Sequence, residues 1–450
     1  MLKSAAIEDL KKNFRGELMA PSDAGYDVAR RVWNGMVDKR PALIARCTGA
    51  KDVVACVNFA REHEVLISVR GGGHNYAGKA ICEDGLVIDL STMKGIQVDQ
   101  ARRTVRAQAG LRLGELDRET QRFGLATTLG VNTDTGISGL TLGGGYGWLA
   151  GKYGLACDNV IRAEVVTADG RILQCSAEQN DDLFWGLRGA GANFGVATEL
   201  EYKLHAVSSV LGGIVLYPLQ EEVLRFFDEF SSGAPDELTT LGAVLTGPDG
   251  NPAFGIVVCY CGSHQEGEEV LKPLRTFAMP LADLIQQRPY LEMQTQLDQT
   301  WPPGRHYYNK AHNVRRLSDG AIQTILRYSA ILPTPVSNIA FQQMHGAASR
   351  ILASETAFPH RYDHYDLLVH PATDNPGDKV KIIGWARECW EALRPFVERA
   401  VYVNALEDAL EEGELRVREA YGANYERLVL LKKKYDPANL FRQNSNIKPS

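Results

Sequence analysis

The sequence lacks long apolar runs, extended basic stretches and paired cysteines, and each absence excludes a class of protein. Nowhere do about 18 apolar residues follow one another, so no membrane-spanning helix is predicted. The N-terminal segment MLKSAAIEDLKKNFRGELMAP has no apolar core of the signal-peptide kind. The longest basic run, at 432–434, is too short to follow a nucleic-acid backbone, and the net charge is −6. We therefore expect neither a nucleic acid nor a membrane as a partner.

Thiol and metal chemistry are also poorly represented. Eight cysteines are scattered over 450 residues without a CxxC pair, and the closest two are Cys259 and Cys261. Reduced thiols and a cytoplasmic location are therefore expected. There is no HExxH motif, and histidines such as His360, His364 and His370 lie more often on a surface or in a core than on a metal. No metal site is predicted.

Three familiar motifs are incomplete. A Walker loop ending at Gly151 would need glycine where Tyr146 stands. A dinucleotide fingerprint beginning at 189 fails because Phe194 occupies the third glycine position. The nucleophile elbow of a hydrolase fails because Leu140 replaces its last glycine. These gaps argue against a hydrolase and against the common nucleotide-binding folds.

The length and the changes in composition predict two domains. Residues 1–205 are rich in glycine and in short β-type runs separated by helical patterns. From 206 to 400, helix-like blocks alternate with strand-like ones, which is typical of a sheet covered by helices. Residues 401–450 carry a helix that ends before Pro437. The expected fold class is α+β.

Three glycine-rich segments lie in the first of these regions, at 70–78, 136–147 and 189–195. Each glycine costs backbone entropy when it is ordered, so this concentration needs a reason. Tight turns are one explanation, and a ligand pressed against bare backbone is the other. A large phosphate-bearing cofactor spread over the domain would account for all three segments. His74, directly after three glycines, could touch the reactive end of such a cofactor.

Four motifs in order carry a resemblance to a known family. They are RGGGHNYAG (70–78), GGGYG (143–147), GANFGVATE (191–199) and a C-terminal stretch containing YGANYERL and KKKYDPANLFRQNSNI. Together they resemble the berberine bridge enzyme-like branch of the FAD-linked oxidases, flavoenzymes of the vanillyl-alcohol oxidase type. The resemblance covers nearly the whole chain, including ARRVWNGMVDKRPALIARC near its start.

The resemblance implies a two-domain α+β fold. Residues 1–205, completed by 401–450, would form a PCMH-type FAD-binding domain. Residues 206–400 would form a substrate domain with an antiparallel sheet covered by helices.

By the same resemblance, His74 bonds covalently to the 8α-methyl group of FAD. The chemistry of the residues agrees, because glycine amides suit phosphates and an imidazole is a nucleophile. The residues implied to contact FAD are Arg70, Gly71, Gly72, Gly73, His74, Asn75, Gly78, Leu129, Gly136, Ser138, Gly139, Gly143, Gly144, Gly145, Tyr146, Gly147, Asn193, Gly195, Val196, Asn444 and Asn446.

Two positions depart from the family pattern. Many relatives carry a cysteine that makes a second bond to the flavin, and Asn132 stands at that position here. A single covalent link through His74 is therefore predicted. Relatives often use the last tyrosine of YxNY as a base, but this chain reads YVNAL and places Ala405 there. Alanine cannot take a proton, so another residue acts or the chemistry differs, while Tyr402 and Asn404 are still expected to approach the ring.

Asp366 is the candidate base, because relatives use a carboxylate on the corresponding strand. Burial beside a flavin would raise its pKa toward neutrality. His370 shares a strand face with Asp366 and Tyr365 points the other way, and both are further catalytic candidates. The alternative is that Asp366 only caps a segment or forms a salt bridge. The residues predicted to line a substrate pocket, or alternatively to pack in a domain interface, are His306, Tyr307 and Tyr308.

The function implied is that of an FAD-dependent oxidase. It would take a hydride from an alcohol, hemiacetal or amine carbon of a small organic substrate and reduce O2 to H2O2, the cofactor carrying the redox chemistry. A dehydrogenase or an oxidative cyclase of secondary metabolism on the same fold is the first alternative. A flavin-binding protein without turnover is the second.

Overall fold

The computed structural model describes residues 4–407 and 409–449. Short strands and helices alternate over the first 206 residues. In chain order these elements are α1 (Ser4–Lys12), β1 (Glu17–Met19), α2 (Tyr26–Ala29), β2 (Leu43–Arg46), α3 (Ala50–Glu62), β3 (Ile67–Arg70), β4 (Leu86–Asp89), β5 (Ile96–Asp99), β6 (Thr104–Gln108), α4 (Leu113–Gln121), β7 (Leu125–Ala126), α5 (Ile137–Leu142), α6 (Ala150–Tyr153), β8 (Val160–Thr167), β9 (Ile172–Cys175), α7 (Asp181–Leu187), β10 (Gly195–Lys203) and β11 (His205–Ala206).

Two sheets organise this N-terminal part. The first has the strand order β1-β2-β4-β3, and β2, β4 and β3 run parallel. All four residues of β4 are buried, as expected for a strand covered on both faces. The second sheet is antiparallel with the order β5-β6-β10-β8-β9, and β7 pairs with β11 outside it. A tight turn containing Asp169 and Gly170 joins β8 to β9, as that dipeptide predicts.

The end of β3 is fixed by a buried ion pair. Arg70 donates from Nη2 to Asp89 Oδ2 at 2.6 Å and from Nε to Asp89 Oδ1 at 3.1 Å, and Asp89 ends the neighbouring strand β4. Arg70 also donates to the carbonyl oxygen of Ala29. The glycine loop that follows β3 therefore leaves the sheet from a fixed point.

Residues 209–396 build a second layered unit. Its strands and helices in chain order are β12 (Ser209–Pro218), α8 (Glu221–Ser232), β13 (Leu238–Thr246), β14 (Pro252–Tyr260), α9 (His264–Thr276), β15 (Ala282–Asp283), β16 (Gln286–Pro289), α10 (Tyr290–Gln294), β17 (His306–Tyr307), β18 (Lys310–Val314), α11 (Asp319–Ser329), β19 (Asn338–Met344), α12 (Ala347–Arg350), β20 (His364–His370), β21 (Ala372–Thr373) and α13 (Lys379–Leu393).

An eight-stranded sheet runs through this unit in the order β15-β12-β14-β13-β19-β20-β18, with β16 also paired to β12. Every pairing in it is antiparallel. Helices α8, α11 and α13 cover one face, where Phe227, Ile325 and Trp385 share a core with Tyr365 and Leu367 of β20. The predicted α+β fold with a helix-covered antiparallel sheet is confirmed.

The C-terminal helices α14 (Ala409–Tyr421) and α15 (Tyr425–Tyr435) return to the N-terminal part. Leu428 and Tyr435 lie in the same core as Phe194 and Tyr202. The domain limits at 205 and 400 stay predictions, which this division of the sheets and cores supports. Within the described segments, no helix is long and apolar enough to cross a membrane.

Lys432 of α15 holds the C-terminal tail against the N-terminal part. Its side chain is 0 % exposed, and its Nζ donates to Asp436 Oδ2 at 2.7 Å, to the carbonyl of Asn193 at 2.7 Å and to that of Phe441 at 2.8 Å. Asp436 in turn accepts the backbone N–H groups of Leu440 and Phe441. Every donor of the ammonium group is used, so the buried pair is fully satisfied.

Replacing Lys432 with methionine is expected to lower the free energy of unfolding by about 3–5 kcal/mol, because Asp436 would remain as an uncompensated buried charge. Urea unfolding followed by tryptophan fluorescence measures the change. Lys434 lies on the same helix and pairs with Asp182, but its side chain is 60 % exposed. Lys434→Met should therefore cost less than about 1 kcal/mol. Equal losses in the two variants would contradict a specific role for Lys432.

Candidate active site

A cavity of about 300 Å³ lies where the glycine loops of the N-terminal part face the eight-stranded sheet. Its wall combines the loop after β3, the segment 130–142, strands β19 and β20, and the C-terminal stretches 402–405 and 443–445. The structure thus brings together many of the residues predicted to contact FAD. Those that line the cavity are Gly71, Gly72, Gly73, His74, Asn75, Gly136, Gly139, Tyr146, Asn193 and Asn444.

The loop after β3 carries His74 to this cavity. Gly72 packs so closely on Gly136 that a β-carbon at Gly72 would lie 2.3 Å from the nitrogen of Gly136, so a side chain would push the two loops apart. His74 Nε2 is buried and has no hydrogen-bond partner among the described residues. Burial lowers the pKa of His74 to about 3, and the nearby Arg112 guanidinium adds to the effect. The imidazole is therefore neutral at physiological pH, which is its nucleophilic form.

Trp33 stacks on the His74 ring. The ring centroids are 4.3 Å apart and the planes differ by 23°. Tyr307 covers the opposite face of the indole, with centroids 3.9 Å apart and planes within 8°. Tyr307 was predicted to line a substrate pocket, but it lies behind Trp33 and away from the cavity wall.

The other two residues predicted to line a substrate pocket do not line the cavity either. Tyr308 is buried in the core between the eight-stranded sheet and its helices. His306 belongs to β17, which pairs with β21 beside the cavity. The alternative of packed aromatics at an interface describes this segment better, because its side chains are used for packing.

Strands β19 and β20 form the wall opposite the glycine loops. Asp366 of β20 lies directly across from Gln342 of β19, and both line the cavity. Asp366 is 1 % exposed, and its Oδ1 has no hydrogen-bond partner in the described part of the chain. Burial raises the pKa of Asp366 to about 7. A carboxyl that titrates near neutrality and has an open oxygen is suited to accept a proton.

The two other candidates on β20 do not line the cavity. Tyr365 points to the helix-covered face, where it packs on Phe227 at 5.4 Å and donates its hydroxyl to the carbonyl of Asp228 at 3.3 Å. His370 lies on the Asp366 face, as strand alternation predicts, but it packs edge-on against Tyr76 at 5.2 Å behind the wall. Of the three β20 candidates, Asp366 alone reaches the cavity.

Most of the glycine run 143–147 packs against the protein itself. The N–H of Gly145 donates to the Tyr402 hydroxyl at 2.9 Å, and Asn404 Nδ2 donates to the same oxygen at 2.8 Å. A β-carbon at Gly143 would lie 2.2 Å from Asn404 Oδ1. The run therefore lets the C-terminal segment approach, and the amides of Gly143, Gly144 and Gly145 are already used in hydrogen bonds within the protein. The residues of the run that do not line the cavity are Gly143, Gly144, Gly145 and Gly147.

Further residues predicted to contact FAD do not line the cavity, because they form hydrogen bonds or strand pairings within the protein. Ser138 donates its hydroxyl to the carbonyl of Ala109 at 2.9 Å, and Gly195 and Val196 belong to β10. Arg70 is held by Asp89, as described above. The predicted contacts outside the run 143–147 that do not line the cavity are Arg70, Gly78, Leu129, Ser138, Gly195, Val196 and Asn446.

Both departures from the family pattern lie on the cavity wall. Asn132 is 5 % exposed, its Oδ1 accepts the N–H of Asp134, and its Nδ2 has no partner within the described residues. None of the eight free cysteines lines the cavity. Ala405 also lines it, together with Tyr402 and Asn404. The wall therefore offers neither a thiol nor a tyrosine at these two positions.

Several lining residues escaped the sequence analysis. Trp33 lies in the segment ARRVWNGMVDKRPALIARC and Lys79 directly follows the first glycine motif, so position relative to a family motif could have indicated both. Gln342 carries no local signal, because its place depends on the pairing of β19 with β20. The lining residues that were not predicted include Trp33, Tyr76, Lys79, Gly191, Trp301 and Gln342.

The cavity fits the FAD that the resemblance implies. At Gly139 a β-carbon would meet no atom within 4 Å, and at Gly191 the nearest would be 3.9 Å away, so bare backbone faces open space at both. Five buried polar atoms without a partner in the described structure belong to lining residues: His74 Nε2, Asn132 Nδ2, Trp301 Nε1, Asp366 Oδ1 and Asn444 Oδ1. Buried polar atoms without partners call for a ligand or water. Among the described residues, no group of three or more His, Cys, Asp or Glu side chains is arranged to hold a metal ion.

Comparison with protein families identifies two segments of the chain. Residues 41–176 match the family described as FAD binding domain, and residues 401–448 match the family described as berberine and berberine like. These segments contain the first two glycine clusters and the C-terminal part of the cavity wall.

Individual relatives extend over most of the chain. An FAD-linked oxidoreductase of Dictyostelium discoideum is 33% identical over 423 residues, which cover 93% of this chain and 91% of the relative. A chitooligosaccharide oxidase of Gibberella zeae is 29% identical over 440 residues, 91% of this chain and 87% of that protein. The crystal structure of 6-hydroxy-D-nicotine oxidase from Arthrobacter nicotinovorans superposes with a TM-score of 0.87 at 30% identity, covering 97% of this chain and 98% of that one.

Proposed function

The chain belongs to the berberine bridge enzyme-like family of FAD-linked oxidoreductases, and we propose that it is an oxidase with FAD bonded to His74 alone. Its substrate would be a small organic molecule that loses a hydride from an alcohol, hemiacetal or amine carbon. O2 would take up the electrons and form H2O2.

One observation carries this proposal. His74 on the loop after β3 and Asp366 on β20 line the same cavity, and each has a buried polar atom without a partner in the described structure. One group is a neutral nucleophile and the other titrates near pH 7. This is the pair of properties needed for cofactor attachment on one wall and proton transfer on the facing wall.

Bound FAD would supply the redox chemistry, accepting a hydride and passing the electrons on. Asp366 would remove the proton from the oxygen or nitrogen of the substrate, so that its electron pair helps to expel the hydride from the adjacent carbon. Gln342, beside Asp366, offers an amide to orient the substrate. The Trp33 ring, which stacks on His74, lines the same end of the cavity.

The relatives support the substrate class in general terms. One is named for a hydroxynicotine and one for a chitooligosaccharide. An amine carbon and a hemiacetal carbon are therefore the first to test. Because Ala405 replaces the usual tyrosine, another residue must act as the base, and Asp366 would fill that role.

We expect at least one compound from a panel of cyclic amines, reducing sugars, alcohols and phenols to bleach the flavin in the absence of air. With air present, that compound should consume O2 and produce H2O2 in equal amounts. An oxygen electrode and a peroxidase-coupled assay measure the two. Bleaching and dye reduction without O2 uptake would identify a dehydrogenase, and a flavin that no compound bleaches would contradict turnover altogether.

A further inference from the structure

Trp33 lies between the two parts of the molecule and touches the histidine on which flavin attachment depends. Its indole is 4 % exposed and has His74 stacked on one face and Tyr307 on the other. Tyr307 is itself 1 % exposed and donates its hydroxyl to the carbonyl of Pro302 at 2.7 Å. The three rings form a continuous stack, so the plane of the imidazole follows the plane of the indole.

Trp33 is held in place by three hydrogen bonds, two through its backbone and one through its indole. The backbone N–H of Trp33 donates to the carbonyl of Gly73 at 3.0 Å, and its carbonyl accepts the N–H of Gly304 at 2.8 Å. Nε1 donates to the carbonyl of Trp301 at 3.1 Å. Because Gly73 directly precedes His74, the bond to Gly73 ties the backbone of Trp33 to the loop that carries the imidazole.

Asn34 completes this frame from the next position in the chain. Its Nδ2 donates to the carbonyls of Tyr76 at 2.7 Å and Tyr307 at 2.9 Å, and its Oδ1 accepts the N–H of Tyr307 at 3.1 Å. The segment containing Trp33 therefore joins the loop after β3 to strand β17. Movement of either would disturb the stack.

We propose that Trp33 is a positioning residue for flavin attachment: its indole keeps the His74 ring in one orientation beside the cavity and shields it from water, so that the ring stays neutral and reactive. The inference rests on the proposed function, in which His74 carries the flavin. An imidazole exposed to water is partly protonated near pH 6.5 and then has no free electron pair. Aromatic stacking removes one ring face from water and limits rotation.

The bond in question joins a nitrogen of His74 to the 8α-methyl carbon of FAD. Its formation removes one proton from that carbon and one from the imidazole, and leaves two electrons on the ring system. O2 takes up these electrons with two protons and becomes H2O2. Trp33 contributes no atom to this step, and its effect is on the orientation and protonation of His74.

The test compares Trp33→Leu, which removes the ring stack, with Trp33→Phe, which keeps an aromatic face. Trp301→Leu is the matched control, because Trp301 lines the same cavity without stacking on His74 in the structure. Each protein is purified with its bound flavin and precipitated with acid, and the absorbance of pellet and supernatant gives the attached fraction. Samples of Trp33→Leu that retain unattached FAD are then kept in air at pH 5, 6, 7 and 8, and attachment is followed with time.

We expect the attached fraction to fall at least tenfold in Trp33→Leu and to stay near the wild-type value in Trp33→Phe and Trp301→Leu. Attachment in Trp33→Leu should be faster at pH 8 than at pH 5, because a hydrated His74 loses its proton over that range. A wild-type attached fraction in Trp33→Leu would overturn the inference. A slow rate that does not change with pH would also overturn it, since a merely distorted site slows attachment equally at every pH.

A second variant covers the case in which Trp33→Leu does not fold. Tyr307→Leu leaves Trp33 in place but removes the ring behind it, and Tyr307→Phe restores that ring. A lower attached fraction in Tyr307→Leu that Tyr307→Phe restores supports the inference, and full attachment in Tyr307→Leu contradicts it. If the wild-type pellet itself is colourless, the covalent histidyl link of the proposed function is wrong, irrespective of Trp33.

Discussion

His74→Ala should release all of its flavin into the supernatant when the protein is precipitated with acid, whereas the wild-type pellet stays yellow. Alanine removes the imidazole that the glycine loop presents to the cavity, while the backbone around the cavity is unchanged. The native variant should therefore still bind FAD. Absorbance spectra before and after precipitation measure the effect, and the mass of the intact denatured chain should show one FAD in the wild type and none in the variant.

His345 provides the matched control for this experiment. It is a buried histidine that lines a separate cavity with Asp236 and Arg350. His345→Ala should retain the flavin in the pellet. A yellow His74→Ala pellet would show that another residue forms the bond, and would contradict the single attachment inferred from Asn132 and from the absence of cysteines on the wall.

Asp366→Asn should slow reduction of the flavin by substrate about 10²–10⁴-fold, the range associated with loss of a general base. The pH dependence has a definite sign. With a pKa of about 7, Asp366 is ionised and able to accept a proton above pH 7, so the wild-type rate should rise through that region and level off. Asparagine does not titrate, so the variant should lose this rise. Anaerobic stopped-flow bleaching between pH 5 and 9 measures both effects.

Asp117→Asn is the control that separates loss of the catalytic base from the general effect of removing a buried carboxyl. It is 0 % exposed, burial raises its pKa to about 8, and it does not line the cavity. Asp117→Asn should keep the wild-type rise in rate near pH 7. If the rise survives in Asp366→Asn, Asp366 is not the base.

Both carboxyls should also affect stability, with the same sign. Their pKa values are higher in the folded chain than in the unfolded one, so unfolding releases protons between about pH 4 and the folded pKa. Their contribution to stability is therefore lost as the pH rises through this range. Each asparagine variant should show a weaker decline, which urea midpoints at pH 5 and 8 would reveal.

Local patterns were sufficient for the parts of the site that depend on backbone chemistry. Three glycines before His74 indicated either a tight turn or a ligand against bare backbone, and the structure shows in addition that Gly72 packs directly on Gly136. The Asp-Gly pair indicated the turn between β8 and β9. Alternation along β20 correctly separated Tyr365 from Asp366, because successive side chains on a strand point to opposite faces.

The same patterns failed where packing between distant segments of the chain determines which residues line the cavity. Glycines in the run 143–147 resemble a phosphate loop, but the approach of Tyr402 and Asn404 uses most of them. Tyr307 is of a residue type that often lines pockets, yet Trp33 lies between it and His74. No residue near these positions in the sequence predicts the contact of Tyr402 and Asn404 with the run or the stacking of Trp33 on Tyr307.

By itself the sequence determined the loop that presents His74 and the faces of β20, because glycine spacing and strand alternation act within a few residues. The family followed from the resemblance of four motifs in order, and the α+β class from the alternation of strand-like and helix-like segments. The tertiary structure alone decided that Gln342 stands beside Asp366 and that Trp33 covers the histidine. These choices depend on strand pairing and ring stacking between segments far apart in the chain. Such contacts depend on shape and burial in the folded chain, so no periodicity along the sequence predicts them.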